Sequence, residues 1–138
     1  MKNILIIVGI VALLLVGGSW WTKSLQSEDS NVIATGGMHW HPQLEIYVKG
    51  VKQDIPANVG IGAVHQPIHT HDDDAARGVL HLEFNGRVTK DDIRLGNFFK
   101  NWGKDMRSFG ENMQMTVNGE ANTEFENYIM RDKDKIEL

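Results

Sequence analysis

The sequence contains no cysteine among its 138 residues. Disulfide bonds, thiolate metal sites, thiol catalysis and lipid attachment to a cysteine are therefore excluded. A fold of this length must be held by a hydrophobic core, and any metal site must use histidine, carboxylate or methionine side chains. A core is available, because 41% of the residues are hydrophobic and 23% are charged, as in ordinary globular proteins.

The chain also lacks an excess of positive charge. Its formal net charge is −4 and its isoelectric point is near 5.8. Lysine and arginine are scattered, and no basic run is long enough to follow a phosphate backbone. These features argue against a nucleic-acid partner, and the length allows a single folded domain.

A long apolar run occurs only near the start of the chain. Residues 3–18 carry no charge, and at about 1.5 Å per residue the segment nearly spans a hydrocarbon core of about 30 Å. Lys2 precedes it and two tryptophans follow it, a pattern that places the rest of the chain outside the cytoplasm. We predict a transmembrane signal-anchor at residues 1–21 that contacts the membrane through residues 3–21. A cleaved signal peptide is the alternative, and both interpretations export the domain to the periplasm or the cell surface.

Residues 22–37 are polar, show no periodicity and end in a pair of glycines. This composition predicts a flexible tether. The extracytoplasmic, histidine-rich domain is then expected at residues 38–138.

Alternating apolar residues predict several β-strands in that domain. Leu44, Ile46 and Val48 alternate with polar residues, and Lys49-Gly50 provides a tight turn into a second strand at residues 51–55. Asn-Gly pairs mark two further turns. The remaining strands are predicted at residues 79–84, 87–89, 113–117, 125–130 and 136–138.

One amphipathic helix is predicted at residues 89–103. Leu95, Phe98, Phe99 and Trp102 recur at helical spacing and form one apolar stripe, which is typical of core packing. Thr89 and Asp92 resemble a helix cap, and Gly103 is a typical helix stop. The resulting fold class is α+β, with a mostly antiparallel sheet packed by one helix.

The end of the chain carries a resemblance to a known fold. The run from MTVNGE to DKDKIEL resembles the closing strands of β-grasp (ubiquitin-like) domains, in which an Asn-Gly turn and an acidic turn before a last short strand recur. The resemblance covers about the last quarter of the chain and implies a β-grasp-like sheet.

All six histidines fall between residues 38 and 83. Most of them belong to pairs of candidate ligands that are separated by a single residue. Residues i and i+2 of an extended segment point to the same face, so each pair can present two ligands to one side. Clustered imidazoles of this kind indicate a metal site. The candidate ligands, in order of preference, are His69, His71 and His81, then His39 and His41, and then His65 and Glu83.

Copper is the favoured ion, because imidazole without thiolate suits copper, zinc or nickel, and copper heads the affinity order. Zinc, with three histidines and one open position, is the alternative. We expect residues 72–74, three consecutive aspartates, to form a solvated acidic turn; pairing with an imidazole N–H or binding a hard cation are the alternatives. Met113 and Met115 alternate in a predicted strand and are expected to fill the core rather than bind Cu(I).

The combined pattern HWHP, IPANVGI, HTHD, GVLHLE and RLGNFFKNWG resembles membrane-anchored extracytoplasmic domains of bacteria. The resemblance covers most of the chain after the tether and implies export and a single intact domain, but no particular reaction.

Three functions remain open. The first is a module that sequesters copper or delivers it, with a membrane protein or a metallochaperone as partner. The second is a metalloenzyme with an open zinc or copper site, in which Glu83 or Asp72 acts as general base. The third is a non-metal subunit of a membrane complex whose histidines sense pH. The chain shows no nucleophile–base pair apart from the histidines and no glycine-rich phosphate loop, which favours the first.

Overall fold

The computed structural model describes residues 7, 9–18 and 30–138. The chain divides into two units, Met1–Ser30 and Asn31–Leu138. In the first unit, residues 9–18 form a helix (α1) with exposed side chains. Among the described residues, no helix has both the length and the apolarity needed to cross a membrane. Much of the predicted signal-anchor, and the predicted tether up to residue 29, lies outside the described residues.

The second unit is α+β with mostly antiparallel sheets, as predicted. It contains ten short strands, one α-helix and three turns of 3-10 helix within residues 31–138. In chain order the strands and the helix are β1 (Val32–Ala34), β2 (Met38–Trp40), β3 (Gln43–Val48), β4 (Val51–Gln53), β5 (Ile68–His69), β6 (His81–Phe84), β7 (Val88–Thr89), α2 (Leu95–Trp102), β8 (Met115–Val117), β9 (Glu120–Asn122) and β10 (Lys135–Glu137).

The second unit begins at Asn31. The reason is that β1 pairs with β7, and the Gly37 N–H donates to the Gly86 carbonyl at 2.8 Å. The strand predicted at residues 87–89 therefore exists, but it does not pair back onto the strand before it. It cannot do so, because β2 and β5 already occupy the two edges of β6.

The largest sheet has five strands in the order β4-β3-β10-β8-β9. β10 runs parallel to β3, and the other neighbours are antiparallel. The turns Lys49-Gly50 and Asn118-Gly119 each have positive φ at both residues, as type I′ hairpin turns require. The first turn forms the predicted hairpin between β3 and β4.

The second hairpin contains a strand that the sequence analysis did not predict. A two-residue turn joins the strands that lie directly before and after it, so β8 pairs with β9 at residues 120–122. A strand is predicted at residues 125–130, but Phe125–Asn127 form a 3-10 turn instead. The following residues run beside the segment just before α2, where the Met130 N–H donates to the Ile93 carbonyl at 3.1 Å.

Helix α2 is shorter than the predicted helix at residues 89–103. Asp92 accepts from the Thr89 N–H at 2.8 Å and from the Thr89 hydroxyl at 2.7 Å, but these bonds close a turn. Arg94 has extended backbone (φ −70°, ψ 140°) and forms a β-bridge with Ile129, so the helix begins at Leu95. It ends at Trp102 and is capped by Gly103, which has φ 71°. The predicted stripe packs into the core, where Leu95, Phe98 and Phe99 are buried.

A second sheet of three strands, β2-β6-β5, carries most of the histidine-rich part of the chain. Its central strand β6 buries Leu82, which is 0% exposed, and the adjoining Leu80 is also 0% exposed. Asn101 of α2 donates its side-chain amide to the Ile68 carbonyl of β5 at 2.8 Å. The core thus lies under one face of this sheet, and its other face is free to carry polar side chains.

Candidate metal site

The register of the three-stranded sheet brings histidines from three segments together. His69 lies opposite His81, and His39 lies opposite Glu83. His81 and Glu83 alternate along β6 with the buried Leu82. This is the shared face that the i, i+2 spacing predicted.

The six imidazole rings form one continuous series of contacts. Successive ring centroids lie between 4.3 and 4.7 Å apart. The series runs His65, His69, His71, His81, His41 and His39. The rings therefore converge on one another rather than pointing into separate regions of solvent.

His69 is the most buried member of the cluster and is 0% exposed. Its Nδ1 lies 3.0 Å from the Gln66 carbonyl oxygen, and because a carbonyl only accepts, Nδ1 carries the proton. The lone pair of Nε2 is then directed at the His71 Nε2, 3.1 Å away. Burial lowers the pKa of His69 below its ordinary value, which favours the neutral, ligand-competent form.

The 3.1 Å gap between the Nε2 atoms of His69 and His71 matches a shared metal ion. Two nitrogens that each lie about 2.0–2.1 Å from one zinc ion are about 2.9 Å apart at a right angle and about 3.3 Å apart at the tetrahedral angle. A direct N–H···N hydrogen bond also spans this distance, so the gap permits an ion without requiring one.

His81 is oriented by a buried carboxylate. Its Nε2 lies 2.9 Å from Asp74 Oδ2, and Asp74 is only 7% exposed. The His81 Nδ1 is buried without a hydrogen-bond partner, as is the second oxygen of Asp74. Such an unsatisfied buried atom costs about 1–3 kcal/mol. A carboxylate on one ring nitrogen and an unpaired second nitrogen are the arrangement of a metal-binding histidine.

Asp74 therefore corrects the expectation of a solvated acidic turn at residues 72–74. Asp72 and Asp73 are exposed as expected, and Asp72 accepts from the Asn58 side-chain amide at 2.7 Å. Asp74 is instead folded under His81, because the 3-10 turn Ala75–Arg77 directs the chain back toward β6. The partnership joins residues seven positions apart across a turn, and no periodicity in the sequence marks it.

The outer end of the cluster consists of His39, His41 and Glu83. His39 Nε2 lies 3.0 Å from Glu83 Oε1, and the His39 side chain is 60% exposed. The same oxygen lies 3.8 Å from His81 Nδ1. Burial, and then the neighbouring rings of His81 and His39, lower the pKa of His41.

The donors fall into two groups, within each of which one donor atom from every residue lies within 4.8 Å of the others. The first group is His69, His71, His81 and Glu83, and the second is His39, His41 and His81. The structure thus brings together six of the seven candidate ligands. His65, the remaining one, belongs to neither group; it is exposed and lies beside His69.

A groove of about 810 Å³ borders the cluster. His39, His65, His69 and Glu83 line it, together with apolar residues that include Phe84. The cluster is therefore reachable from one side by a small molecule or by part of a partner protein.

The backbone that carries His69 is fixed by a neighbouring loop. The Thr70 hydroxyl donates to the Pro56 carbonyl at 2.8 Å and accepts from the Val59 N–H at 3.0 Å. Gly60 has φ +75°, and a Cβ at this position would lie 2.6 Å from the Ile68 carbonyl oxygen. Glycine at position 60 therefore lets the loop pack directly against β5, under His69.

No protein-family model, curated protein or solved structure matches the chain. Function is therefore inferred from the geometry of the site itself.

Proposed function

We propose that the protein binds a transition-metal ion through His69, His71 and His81, with Glu83 as the fourth ligand. The observation that carries this proposal is the buried, unpaired Nδ1 of His81, which Asp74 holds by the opposite ring nitrogen. A second proposed donor is the Nε2 of His69. The His69 ring carries its proton on the other nitrogen, where a backbone carbonyl holds it. At least two of the three imidazoles are thus preset in the tautomer that a metal ion requires.

Copper is the proposed ion, and zinc is the alternative. The donor set is imidazole and carboxylate without thiolate, which suits either ion, and copper binds such sets more tightly than zinc. The chain has no cysteine to compete for a soft metal. Four ligands including a carboxylate satisfy a tetrahedral zinc ion equally well.

We propose further that this site is displayed outside the cytoplasm by an N-terminal membrane anchor and sequesters copper or delivers it to a membrane protein or metallochaperone. The support is the uncharged run at residues 3–18, flanked by Lys2 and by Trp20 and Trp21. A C-terminal alkaline phosphatase fusion should be active in intact bacteria. An inactive fusion on an expressed, membrane-associated chain would contradict export.

The five-stranded sheet supports a finer proposal about the fold. Its strand order, with the first and last strands of the sheet parallel in the centre and α2 crossing between its second and third strands, resembles β-grasp domains. In this proposal the histidine-bearing sheet is an insertion between β4 and α2, joined by β2 from the N-terminal side.

A metalloenzyme is the second candidate, and the groove of about 810 Å³ beside the ligands favours it. The Glu83 side chain is 42% exposed and borders this groove, so it could leave the metal to act as general base while water takes its position. An exchangeable water on the bound ion, detected spectroscopically, would favour the enzyme over a carrier.

Metal analysis of the full-length chain, purified in detergent without a histidine tag, tests the proposed binding. The wild type should retain copper or zinc through dialysis, and the variant His69→Ala/His71→Ala should lose it. His65→Ala is the matched control, since it removes an exposed neighbouring histidine outside both ligand groups. Equal metal content in the wild type and the double variant would refute the ligand set.

A further inference from the structure

The cluster offers more donors than one ion can use. Six imidazoles and one carboxylate lie in the connected cluster, whereas a zinc ion in a protein takes four ligands. The donors also separate into an inner group around His69 and His71 and an outer group around His39 and His41. We infer that the site holds two metal ions, one buried and one exposed, bridged by the carboxylate of Glu83. This inference rests on the proposed metal binding and adds the second ion to it.

His81 appears in both donor groups but can serve only one ion. Its Nε2 is held by Asp74 at 2.9 Å, which leaves Nδ1 as its single free donor. The inner ion takes that donor, because Nδ1 lies 3.8 Å from an oxygen of Glu83, which belongs to the inner group. The outer ion therefore needs a different shared ligand.

Glu83 is placed to be that ligand. One of its oxygens lies 3.0 Å from His39 Nε2 in the outer group and 3.8 Å from His81 Nδ1 in the inner group. A carboxylate has two oxygens and can give one to each ion. In two-metal sites the ions are about 3.5–4 Å apart, a spacing that a bridging carboxylate spans.

The two ions differ in their exposure to solvent. The inner ion is bound by His69, which is 0% exposed, and by His81, whose side chain is 12% exposed. The outer ion is bound by His39, whose side chain is 60% exposed. Its remaining positions open toward solvent and the groove, so the outer ion exchanges faster and binds more weakly. An ion entering or leaving the protein would pass through this outer position.

Titration of the metal-free, full-length chain with Cu(II) and, separately, with Zn(II) tests the two-ion centre. The wild type should bind two ions per chain, and His39→Ala/His41→Ala should bind one, with the tighter affinity retained. His65→Ala should still bind two. Because His39 is largely exposed, its removal leaves the core untouched, and far-ultraviolet circular dichroism checks the fold of each variant.

Electron paramagnetic resonance of the copper-loaded protein provides a second readout. Two bridged Cu(II) ions couple magnetically and give a half-field signal, whereas a lone Cu(II) ion does not. Glu83→Gln should abolish the coupling, because the amide removes the bridging carboxylate. One ion per chain in the wild type, or two in His39→Ala/His41→Ala, would overturn the two-ion inference and leave the single site standing. No tightly bound ion in the wild type would refute the proposed function itself.

Discussion

At the scale of single residues, the site depends on which nitrogen of each imidazole carries the proton. A backbone carbonyl fixes this for His69, and the carboxylate of Asp74 fixes it for His81. Both partners are protein groups that would remain when a metal leaves. The rings are therefore held in a binding orientation in advance, which reduces the ordering cost of binding.

The residue-scale prediction that follows concerns Asp74. Replacing it by asparagine keeps its size and one acceptor but removes the negative charge that makes His81 more basic. Metal affinity should fall by about 10-fold to 100-fold, as measured by competition with a chelator. Asp73→Asn is the matched control, because Asp73 is exposed and accepts from Arg77 through its backbone carbonyl. Equal affinities for the two variants would show that Asp74 does not orient the ligand.

Protonation of His69 and His41 predicts how stability depends on pH. Burial lowers the pKa of His69, and burial with neighbouring rings lowers that of His41, both from 6.5. Between pH 6.5 and the lowered pKa of the folded state, the unfolded chain binds more protons than the folded chain. The stability that these two histidines contribute is therefore full above pH 6.5 and is lost as the pH falls below it. The guanidinium unfolding midpoint of the metal-free protein should therefore be lower at pH 5.5 than at pH 8.

The slope of this pH dependence has its own control. His69→Gln removes the most buried of these titrating rings, so its unfolding midpoint should change less between the same two pH values. The carboxylates Glu45 and Asp91, whose pKa values are lowered by Lys52 and Arg94, titrate below this range and do not contribute. An unchanged or rising midpoint on acidification of the wild type would contradict the assignment.

At the scale of elements, local patterns in the sequence predicted the hairpin and the helix stripe that the structure confirms. They did not predict the pairings between strands that are distant in the sequence. The β3–β4 hairpin and the buried stripe of α2 follow from alternation, turn residues and helical spacing. The pairing of β1 with β7 does not follow from these patterns, because β1 lies in a segment of tether-like composition and is far from β7 in the sequence. The start of α2 was misplaced because the Thr89–Asp92 contact closes a turn as readily as it caps a helix.

Some features of the candidate site could likewise be predicted from the sequence, and others could not. The i, i+2 spacing predicted that each histidine pair would share a face, and the clustering in sequence predicted convergence. The roles of Asp74 and of the Gln66 carbonyl depend on how two turns fold back under the rings. Sequence spacing carries no signal for either contact, which is why three similar aspartates could not be distinguished.

The element-scale prediction concerns Gly60, which lets its loop pack against β5. Alanine there would place a Cβ 2.6 Å from the Ile68 carbonyl oxygen, with φ at +75°. The loop must move, so both the stability and the metal affinity of the protein should fall; the strain alone costs about 1–3 kcal/mol. Chemical unfolding and chelator competition measure the two effects.

Gly119→Ala separates backbone strain from displacement of the site. Gly119 also has positive φ, at +83°, but an added Cβ meets no atom within 4 Å. This variant should lose some stability and keep its metal affinity. If Gly60→Ala binds metal as well as Gly119→Ala does, the loop does not position His69.

At the scale of the whole molecule, the folded unit at residues 31–138 has no disulfide and relies on its core. Bound metal would add to that stability by mass action, by about 2.7 kcal/mol when the free ion is 100-fold above its dissociation constant. The inner ligands come from β5, from the residues that follow it and from β6, and the outer ligands come from β2 and the residues that follow it, so the bound metal ties together segments distant in the sequence. Loading and folding should therefore be coupled.

We propose above all that imidazoles from separate segments bind one inner ion. X-ray absorption of the full-length chain loaded with a single equivalent of Cu(II) or Zn(II) tests it most directly. We predict nitrogen and oxygen ligands at about 2.0–2.1 Å with the outer-shell scattering of about three imidazoles, and a clear reduction of that scattering in His69→Ala/His71→Ala. A shell of oxygen ligands without imidazole scattering in the wild type would contradict it.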